Sequence, residues 1–186
     1  MAYEIELKAR LNDALSVKKK LNLLGKYRHA FEKYDSYWFP EHSESGVRLR
    51  REICIDSIGS KKQTIFVTFK KKEIACGIEI NDEKEFTVAD ADLFEEMLEF
   101  LGLHKKIYKE KKGQVWDVDS ISAEISHVTD LGWFAELEII ADTNDDKTVS
   151  AGRERLLSLL EQLDIPADSI ESRPYSVLLA LSKQEV

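Results

Sequence analysis

Residues 3–11, Tyr-Glu-Ile-Glu-Leu-Lys-Ala-Arg-Leu, alternate strictly between apolar and charged side chains. The charged series is Glu4, Glu6, Lys8 and Arg10. A two-residue repeat of this length predicts a β-strand with one polar and one apolar face. Taken alone, the strand is typical of a solvated sheet edge whose charges discourage aggregation. Two acids followed by two bases would also suit a site that holds metal ions at one end and an anion at the other.

The composition predicts one globular domain over residues 1–186. The 186 residues are 43% hydrophobic and 33% charged, which suffices for one core but not comfortably for two. The sequence contains neither a basic and apolar leader nor a run of about 18 apolar residues, which predicts a cytoplasmic protein without a membrane span. Cys54 and Cys76 match no metal-binding spacing and are expected to be reduced thiols. The net charge of -8 argues against nucleic-acid binding, so an anionic ligand would have to meet a local cluster of bases.

Later segments repeat the alternation of the first strand, and apolar stripes at helical spacing lie between them. Strands are predicted at 27–39, 47–53, 64–72, 77–88, 104–112 and 133–141, with one or two more within 115–128. Helices are predicted from residue 12 or 13 to 24, and over 91–101, 145–163 and 173–181. Gly113 favours a hairpin. The second helix is expected to bury an apolar stripe made of Phe94, Met97, Leu98 and Leu101.

The predicted strands share a charged face opposite an apolar one. The simplest arrangement closes the sheet with the charged faces inward and covers the apolar faces with helices. This inverts the usual small barrel, whose interior is apolar, and because buried like charges are unfavourable unless neutralised, the interior is expected to hold water and a ligand. The inward residues would be the bases Lys8, Arg10, Arg48, Arg50, Lys70, Lys72, Lys109, Lys111 and Arg173, and the acids Glu4, Glu6, Glu79, Glu83, Glu85, Glu124, Glu136 and Glu138.

Such an interior suits a highly charged anion that is carried with hard divalent cations. Carboxylate oxygens bind Mg²⁺ or Mn²⁺. Arginine forks bind phosphate oxygens in bidentate fashion, and lysines add point charge. A polyphosphate with bound metal requires both sets of residues, whereas a single phosphate would not require so many bases.

An ordered set of motifs along nearly the whole chain resembles the CYTH family, the triphosphate tunnel metalloenzymes. This family includes class IV adenylate cyclases, thiamine triphosphatases and inorganic triphosphatases. The first motif, Glu4-x-Glu6-x-Lys8, is weak by itself, but the ordered set is specific. The later motifs are Asp35-x-Tyr37 within His29–Phe39, Val47-Arg-Leu-Arg50, Thr68-Phe-Lys70, Glu83-x-Glu85, Lys109-x-Lys111, Leu131-Gly-Trp-Phe-Ala-Glu-Leu-Glu138 and Ser172–Leu179.

The resemblance implies an α+β fold built on an eight-stranded antiparallel barrel, or tunnel. It also implies that Lys70 and Tyr37 form the pair that helps to activate water in hydrolytic members. The residues that would bind the triphosphate are Lys8, Arg10, Arg48, Arg50, Lys70, Lys109, Lys111 and Arg173. The residues that would bind the metal are Glu4, Glu6, Glu136 and Glu138.

Four positions depart from the family pattern, and two of them are Lys111, where the family has Arg, and Asn81, where it often has a basic residue. Lys33 stands where cyclase-like members usually have Gln, and Ser126 stands where they often have Asp. Glu124, two residues before Ser126 on the same predicted face, is the substitute metal ligand. These departures bear on the number of metal ions and on the substrate more than on the fold.

The sequence therefore predicts a Mg²⁺- or Mn²⁺-dependent enzyme that acts on a nucleoside triphosphate or another polyphosphate. The leading interpretation is a class IV adenylate cyclase-like enzyme, which converts ATP to cyclic AMP and pyrophosphate. The alternative is an inorganic or thiamine triphosphatase, which hydrolyses the terminal phosphate. A third interpretation is a non-catalytic polyphosphate- or nucleotide-binding module, which Ser126 supports. The oligomeric state is left open, and a homodimer is one of the states considered.

Overall fold

The first strand, Tyr3–Leu11 (β1), pairs along both of its edges, and this double pairing closes the sheet. A computed structural model describes residues 3–43, 46–75 and 78–182, and the side chains of 70–75 and 78–83 lie outside that description. The other strands are Lys26–Pro40 (β2), Val47–Ile55 (β3), Lys61–Ala75 (β4), Ile78–Val88 (β5), Leu103–Val118 (β6), Ile121–Val128 (β7) and Gly132–Ala141 (β8). The α-helices are Ala14–Leu24 (α1), Ala91–Phe100 (α2), Asp146–Gln162 (α3) and Tyr175–Ser182 (α4), and a 3-10 turn spans Ala167–Ser169.

The described strands form one closed antiparallel barrel in the order β1-β5-β4-β3-β2-β6-β7-β8, and β8 returns to β1. The closing seam runs the full length of β1, from the pair Tyr3 and Ala141 to the pair Leu11 and Trp133. The predicted fold class, an eight-stranded antiparallel barrel with helices outside, is therefore confirmed. None of the described helices is long and apolar enough to cross a membrane.

Alternation along β1 separates the outside of the barrel from its inside. Ile5, Leu7 and Ala9 are fully buried on the outer face, in a core that also contains residues of α1 and α3. The intervening charged residues therefore face the barrel interior, as predicted from their spacing. Asp13 is the N-cap of α1, and its carboxylate accepts a hydrogen bond from the Ser16 amide at 3.0 Å, which satisfies one of the free N–H groups of the first turn.

A second core lies beneath α2, where Leu98 packs with Trp38, Leu49 and Val67 from β2, β3 and β4. Only part of the predicted apolar stripe is buried there. Leu98 is buried and Phe94 packs against the core, but Met97 and Leu101 are 43% and 60% exposed. The prediction for those two residues is wrong because a helix that lies on a curved barrel wall contacts it along a narrow line.

The prediction of a hairpin at Gly113 is also wrong. β6 continues through Gly113 to Val118, and the chain turns instead at Asp119, which has a positive φ of 52°. A Cβ on Gly113 would lie 2.6 Å from the Ile125 carbonyl oxygen and 2.8 Å from the Phe31 ring. The absence of a side chain at Gly113 thus allows the β7 backbone and the Phe31 ring to approach closely, which is a common reason for glycine inside a strand.

Candidate active site

A buried carboxylate, Asp35 on β2, is the centre of the basic cluster inside the barrel. Arg50 donates two hydrogen bonds to it, from Nε at 2.7 Å and from Nη2 at 3.0 Å, and Lys109 Nζ lies 2.9 Å away. Burial alone would raise the pKa of Asp35, but Arg50 and Lys109 outweigh it and hold that pKa well below its usual range. The carboxylate thus organises two cations from the strands on either side of β2.

A second network joins strands that are not neighbours, which only inward-pointing side chains can do. Lys111 on β6 lies 2.5 Å from Glu124 on β7 and 2.8 Å from Glu136 on β8. Lys33 on β2 reaches across β6 and donates to Glu124 at 2.9 Å. Burial would raise the pKa of Glu124, but Lys111 and Lys33 outweigh it and lower that pKa. Both acids are therefore carboxylates with lysine partners.

The acidic end of the interior lies on β1 and β8, where Glu6 and Glu138 are opposite each other in register. Burial, together with the charges of Glu6 and Glu136, raises the pKa of Glu138 to about 7. Among the described residues, no three carboxylate, imidazole or thiol groups lie close enough to hold an ion by themselves. Mg²⁺ usually binds through one or two carboxylates plus substrate phosphates and water. The Glu6–Glu138 pair fits that pattern, because a divalent cation would relieve the repulsion between the two acids.

Tyr175, the first residue of α4, places its ring among the interior lysines. Its centroid lies 4.6 Å from Lys8 Nζ and 4.8 Å from Lys109 Nζ, and its hydroxyl donates to Glu136. Burial and the Glu136 carboxylate raise the pKa of Tyr175 well above its usual value, so the phenol stays protonated. The Tyr175 side chain therefore contacts the lysines through its ring and the Glu136 carboxylate through its hydroxyl.

A more exposed cluster is built on Glu171, which precedes α4. Arg173 donates to it from Nε at 2.8 Å and from Nη2 at 2.6 Å, and Arg10 Nε lies 3.3 Å away. These contacts, chiefly the hydrogen bonds from Arg173, lower the pKa of Glu171 to about 2. The backbone carbonyl of Arg173 also accepts from Lys8 Nζ at 2.7 Å. The cluster thus joins the segment before α4 to the polar face of β1.

The last inward arginine, Arg48 on β3, contacts the two strands that follow it in the ring. Its Nη2 lies 2.9 Å from Thr68 Oγ1 and 3.5 Å from Glu85 Oε2, and Thr68 donates to Glu85 at 3.0 Å. These contacts show that the inward faces of β3, β4 and β5 are also polar around Arg48.

The structure brings most of the predicted site residues together inside the barrel. Arg10 and Arg173 are the exceptions, because they meet at Glu171 and are about half exposed. Tyr37 lies near the basic cluster, with its hydroxyl 3.5 Å from Asp35 Oδ2. The side chain of Lys70, its predicted partner, lies outside the described side chains, as do those of Lys72, Glu79 and Glu83, and Cys76 lies outside the described residues.

Sequence reasoning assigned no role to four residues that the structure places in these networks, and these are Lys33, Asp35, Glu171 and Tyr175. Asp35 and Lys33 share the inward face of β2 with Tyr37, so the alternation of that strand was a usable signal for both. Glu171 and Tyr175 belong to no strand, and the usable signal for Tyr175 was the family motif at Ser172–Leu179, which contains it.

Comparisons with known proteins bear on the family of the chain and on its fold. The sequence pattern of the CYTH domain matches residues 2–175. A protein of Methanocaldococcus jannaschii named "putative adenylate cyclase" is 27% identical over 179 residues, which cover 96% of this chain and 99% of that one.

Solved structures show the same fold at lower sequence identity. A Pyrococcus horikoshii protein superposes with a TM-score of 0.83 at 22% identity, covering 95% of this chain and 98% of that one. A Vibrio parahaemolyticus protein titled "putative adenylate cyclase" gives 0.78 at 19% identity, covering 96% and 98%. A chain of the Schizosaccharomyces pombe Mediator head module gives 0.64 at 12% identity, covering 87% and 94%.

Proposed function

The chain belongs to the CYTH domain family, and from that membership we propose that it is a divalent-metal-dependent enzyme that binds a triphosphate inside the barrel. The observation that carries the proposal is the burial of cations around the interior. Lys109 and Lys111 are 4% and 3% exposed, and Arg50 is held by a fully buried carboxylate. Buried cations are costly unless paired. Arg50 and Lys109 share the carboxylate of Asp35, and we take this cluster as the binding surface for a polyanion.

The basic cluster would bind the phosphates. Arg50 presents a planar fork to oxygen acceptors, and the ammonium groups of Lys8, Lys109 and Lys111 all lie within 5.5 Å of the Tyr175 ring centroid. Asp35 holds Arg50 and Lys109 in place before a ligand arrives, which lowers the ordering cost of binding. These residues bind and orient the triphosphate.

The acidic end would hold the metal ion. Glu6 and Glu138 are the described pair that fits, with Glu4 two residues further along the inward face of β1. When bound, Mg²⁺ or Mn²⁺ supplies charge stabilisation at the phosphoryl oxygens. Its pairing with a polyphosphate explains why the interior carries both acids and bases.

For the reaction itself we favour adenylate cyclase chemistry. The ribose 3′-hydroxyl of ATP attacks the α-phosphorus, its proton leaves to a base, and pyrophosphate departs with the bonding electrons. The names of the Methanocaldococcus jannaschii and Vibrio parahaemolyticus relatives support this reaction. The chain's own contribution is to hold the triphosphate extended along the basic cluster, so that the attacking and leaving oxygens are in line.

Two alternatives have their own support. A triphosphatase, in which water attacks the terminal phosphorus, is favoured by the position of Tyr37, whose hydroxyl lies beside Asp35 in the basic cluster. A non-catalytic binding module is favoured by the two lysines that hold Glu124.

One product assay separates the three functions. The protein is incubated with Mn²⁺ or Mg²⁺ and with ATP, tripolyphosphate or thiamine triphosphate, and the products are resolved by chromatography. Cyclic AMP with pyrophosphate supports the cyclase, orthophosphate supports the triphosphatase, and tight binding without turnover supports the module.

A matched pair of variants ties the activity to the interior. Glu136→Ala removes an inward carboxylate and is expected to lower the rate by roughly 10- to 100-fold or more. Glu110→Ala removes a glutamate from β6 on the outer face, where it contacts Lys112 at 2.9 Å, and should leave the rate unchanged. Equal activity of the two variants would remove Glu136 from the site.

A further inference from the structure

The carboxylate of Glu124 is held by an ammonium group on each of its oxygens. Lys33 Nζ lies 2.9 Å from Oε2, and Lys111 Nζ lies 2.5 Å from Oε1. Lys111 also lies 2.8 Å from Glu136. The group of two lysines and two glutamates is therefore neutral, and each carboxylate in it has a lysine partner.

The position of Lys33 is built into the barrel. Its side chain crosses from β2 over β6 to β7, and its Nζ lies 4.1 Å from the centroid of the Phe31 ring. Phe31 is itself fully buried, and its ring packs where Gly113 leaves room for it. The ammonium is thus fixed between an aromatic face and a carboxylate, and Lys33 is only 13% exposed as a side chain.

Glu138, two residues beyond Glu136 on the inward face of β8, differs from the two glutamates of this group. Glu138 lies opposite Glu6, and within the described side chains the structure gives Glu138 no ion-pair partner. Ser126 follows Glu124 on the inward face of β7. It is fully buried, and its hydroxyl has no hydrogen-bond partner among the described groups. A neutral hydroxyl there adds no charge that could attract a cation to the Glu124 side.

We propose that Lys33 is a built-in counter-cation that keeps Glu124 out of the metal-binding set, so that the protein carries its triphosphate with a single divalent ion at the Glu6 and Glu138 side. The inference rests on the proposed function. A divalent ion at Glu124 would have to displace two buried ammonium groups and leave them unpaired, which is strongly unfavourable. Lys33 thereby supplies, as a fixed side chain, the positive charge that a second ion would bring.

The test counts metal ions directly. Mn²⁺ binding is measured by electron paramagnetic resonance of the free ion, in the presence of an ATP analogue with methylene bridges at both the α,β and β,γ positions. The native chain should bind one Mn²⁺ per protein, and Lys33→Met should bind two. The double variant Lys33→Met/Glu124→Gln should return to one ion, and Lys112→Met, which removes a lysine from the outer face of β6, should match the native chain.

Glu124→Gln in the native background keeps the test decisive if Lys33→Met fails to fold. Under the proposal, this variant binds one Mn²⁺ with an affinity less than about tenfold below the native value. A loss of tenfold or more would show that Glu124 is a metal ligand and would overturn the proposal.

The remaining outcomes are also decisive. Two ions in the native chain, or one in a folded Lys33→Met variant, would overturn the role of Lys33. No Mn²⁺ bound by any variant would overturn both this inference and the proposed function. One ion with the analogue, but no turnover of ATP, tripolyphosphate or thiamine triphosphate, would overturn the catalytic function and leave the ion count standing.

Discussion

Replacing Asp35 by Asn tests whether this buried carboxylate organises the basic cluster. The native side chain is fully buried and receives three charged contacts, two from Arg50 and one from Lys109. Asn keeps the shape and one acceptor oxygen but removes the buried charge that Arg50 and Lys109 share, although Glu52 remains 3.8 Å from Arg50 Nη1. Breaking a buried ion pair by removing one partner costs about 3–5 kcal/mol. Solvent screening does not reduce this cost, because the Asp35 side chain has no exposed surface.

We expect Asp35→Asn to lower the free energy of unfolding by about 3–5 kcal/mol at pH 7, measured by urea denaturation followed by circular dichroism. Glu32→Gln is the matched control on the same strand. Glu32 faces outward and contacts Tyr34 and Lys112 at the surface, so its loss should be about 0–1 kcal/mol.

The pH dependence of stability tests independently whether the ionised Asp35 carboxylate stabilises the fold. The native pKa of Asp35 is held well below its usual value, chiefly because Arg50 and Lys109 outweigh the effect of burial. A depressed carboxylate pKa stabilises the fold above the unfolded pKa of about 3.9, and this contribution is lost as the pH falls toward the native pKa. The difference in unfolding free energy between the native chain and Asp35→Asn should therefore become smaller below about pH 4. The stabilising role of Asp35 would be refuted if Asp35→Asn lost no more unfolding free energy than Glu32→Gln. It would also be refuted if the loss in Asp35→Asn stayed constant at acidic pH.

Two further substitutions follow from the packing of the interior. Gly113→Ala would place a Cβ 2.6 Å from the Ile125 carbonyl oxygen and 2.8 Å from the Phe31 ring, so the free energy of unfolding should fall by about 1–3 kcal/mol in urea, and a stable variant would contradict the close approach. Tyr175→Phe keeps the ring beside Lys8 and Lys109 but removes the hydroxyl that donates to Glu136, so the melting temperature should fall by an amount equivalent to about 1–3 kcal/mol. An unchanged melting temperature would show that the hydroxyl contributes nothing to stability.

The faces of the strands were predictable from the sequence because side-chain alternation is local. Glu6, Lys8, Arg50, Lys111 and Glu136 all lie on the inward faces that their spacing indicated. The partners of these residues were not predictable, since the order of strands around the ring decides which inward charges meet. Knowing that Lys33 and Glu124 both point inward does not reveal that only one strand, β6, lies between their strands.

Features that depend on curvature or on close approach also escaped prediction. Glycine is typical of turns, yet Gly113 lies inside a strand, where its lack of a side chain leaves room for the Phe31 ring. Met97 and Leu101 have the spacing of a buried stripe, but the wall beneath α2 curves away from them. Tyr175 reaches the interior from a helix outside the sheet, and a sequence pattern carries no information on such a docking.

The seam between β1 and β8 has a consequence for the order in which the chain acquires its structure. The strands β2, β3, β4 and β5 each pair with a neighbour in sequence, so they can form hairpins as soon as they are synthesised. β1 must wait for β5, and its full-length partner ends at Ala141. Contacts between segments so distant in sequence are slow to form.

During synthesis the apolar side of β1 therefore lacks its core neighbours from α3 and β8 until most of the protein is made, and nascent chains are vulnerable at such surfaces. Glu4, Glu6, Lys8 and Arg10 alternate with that apolar series and act as gatekeepers in the interval. The charges that line the finished barrel thus also protect the chain that has not yet closed it.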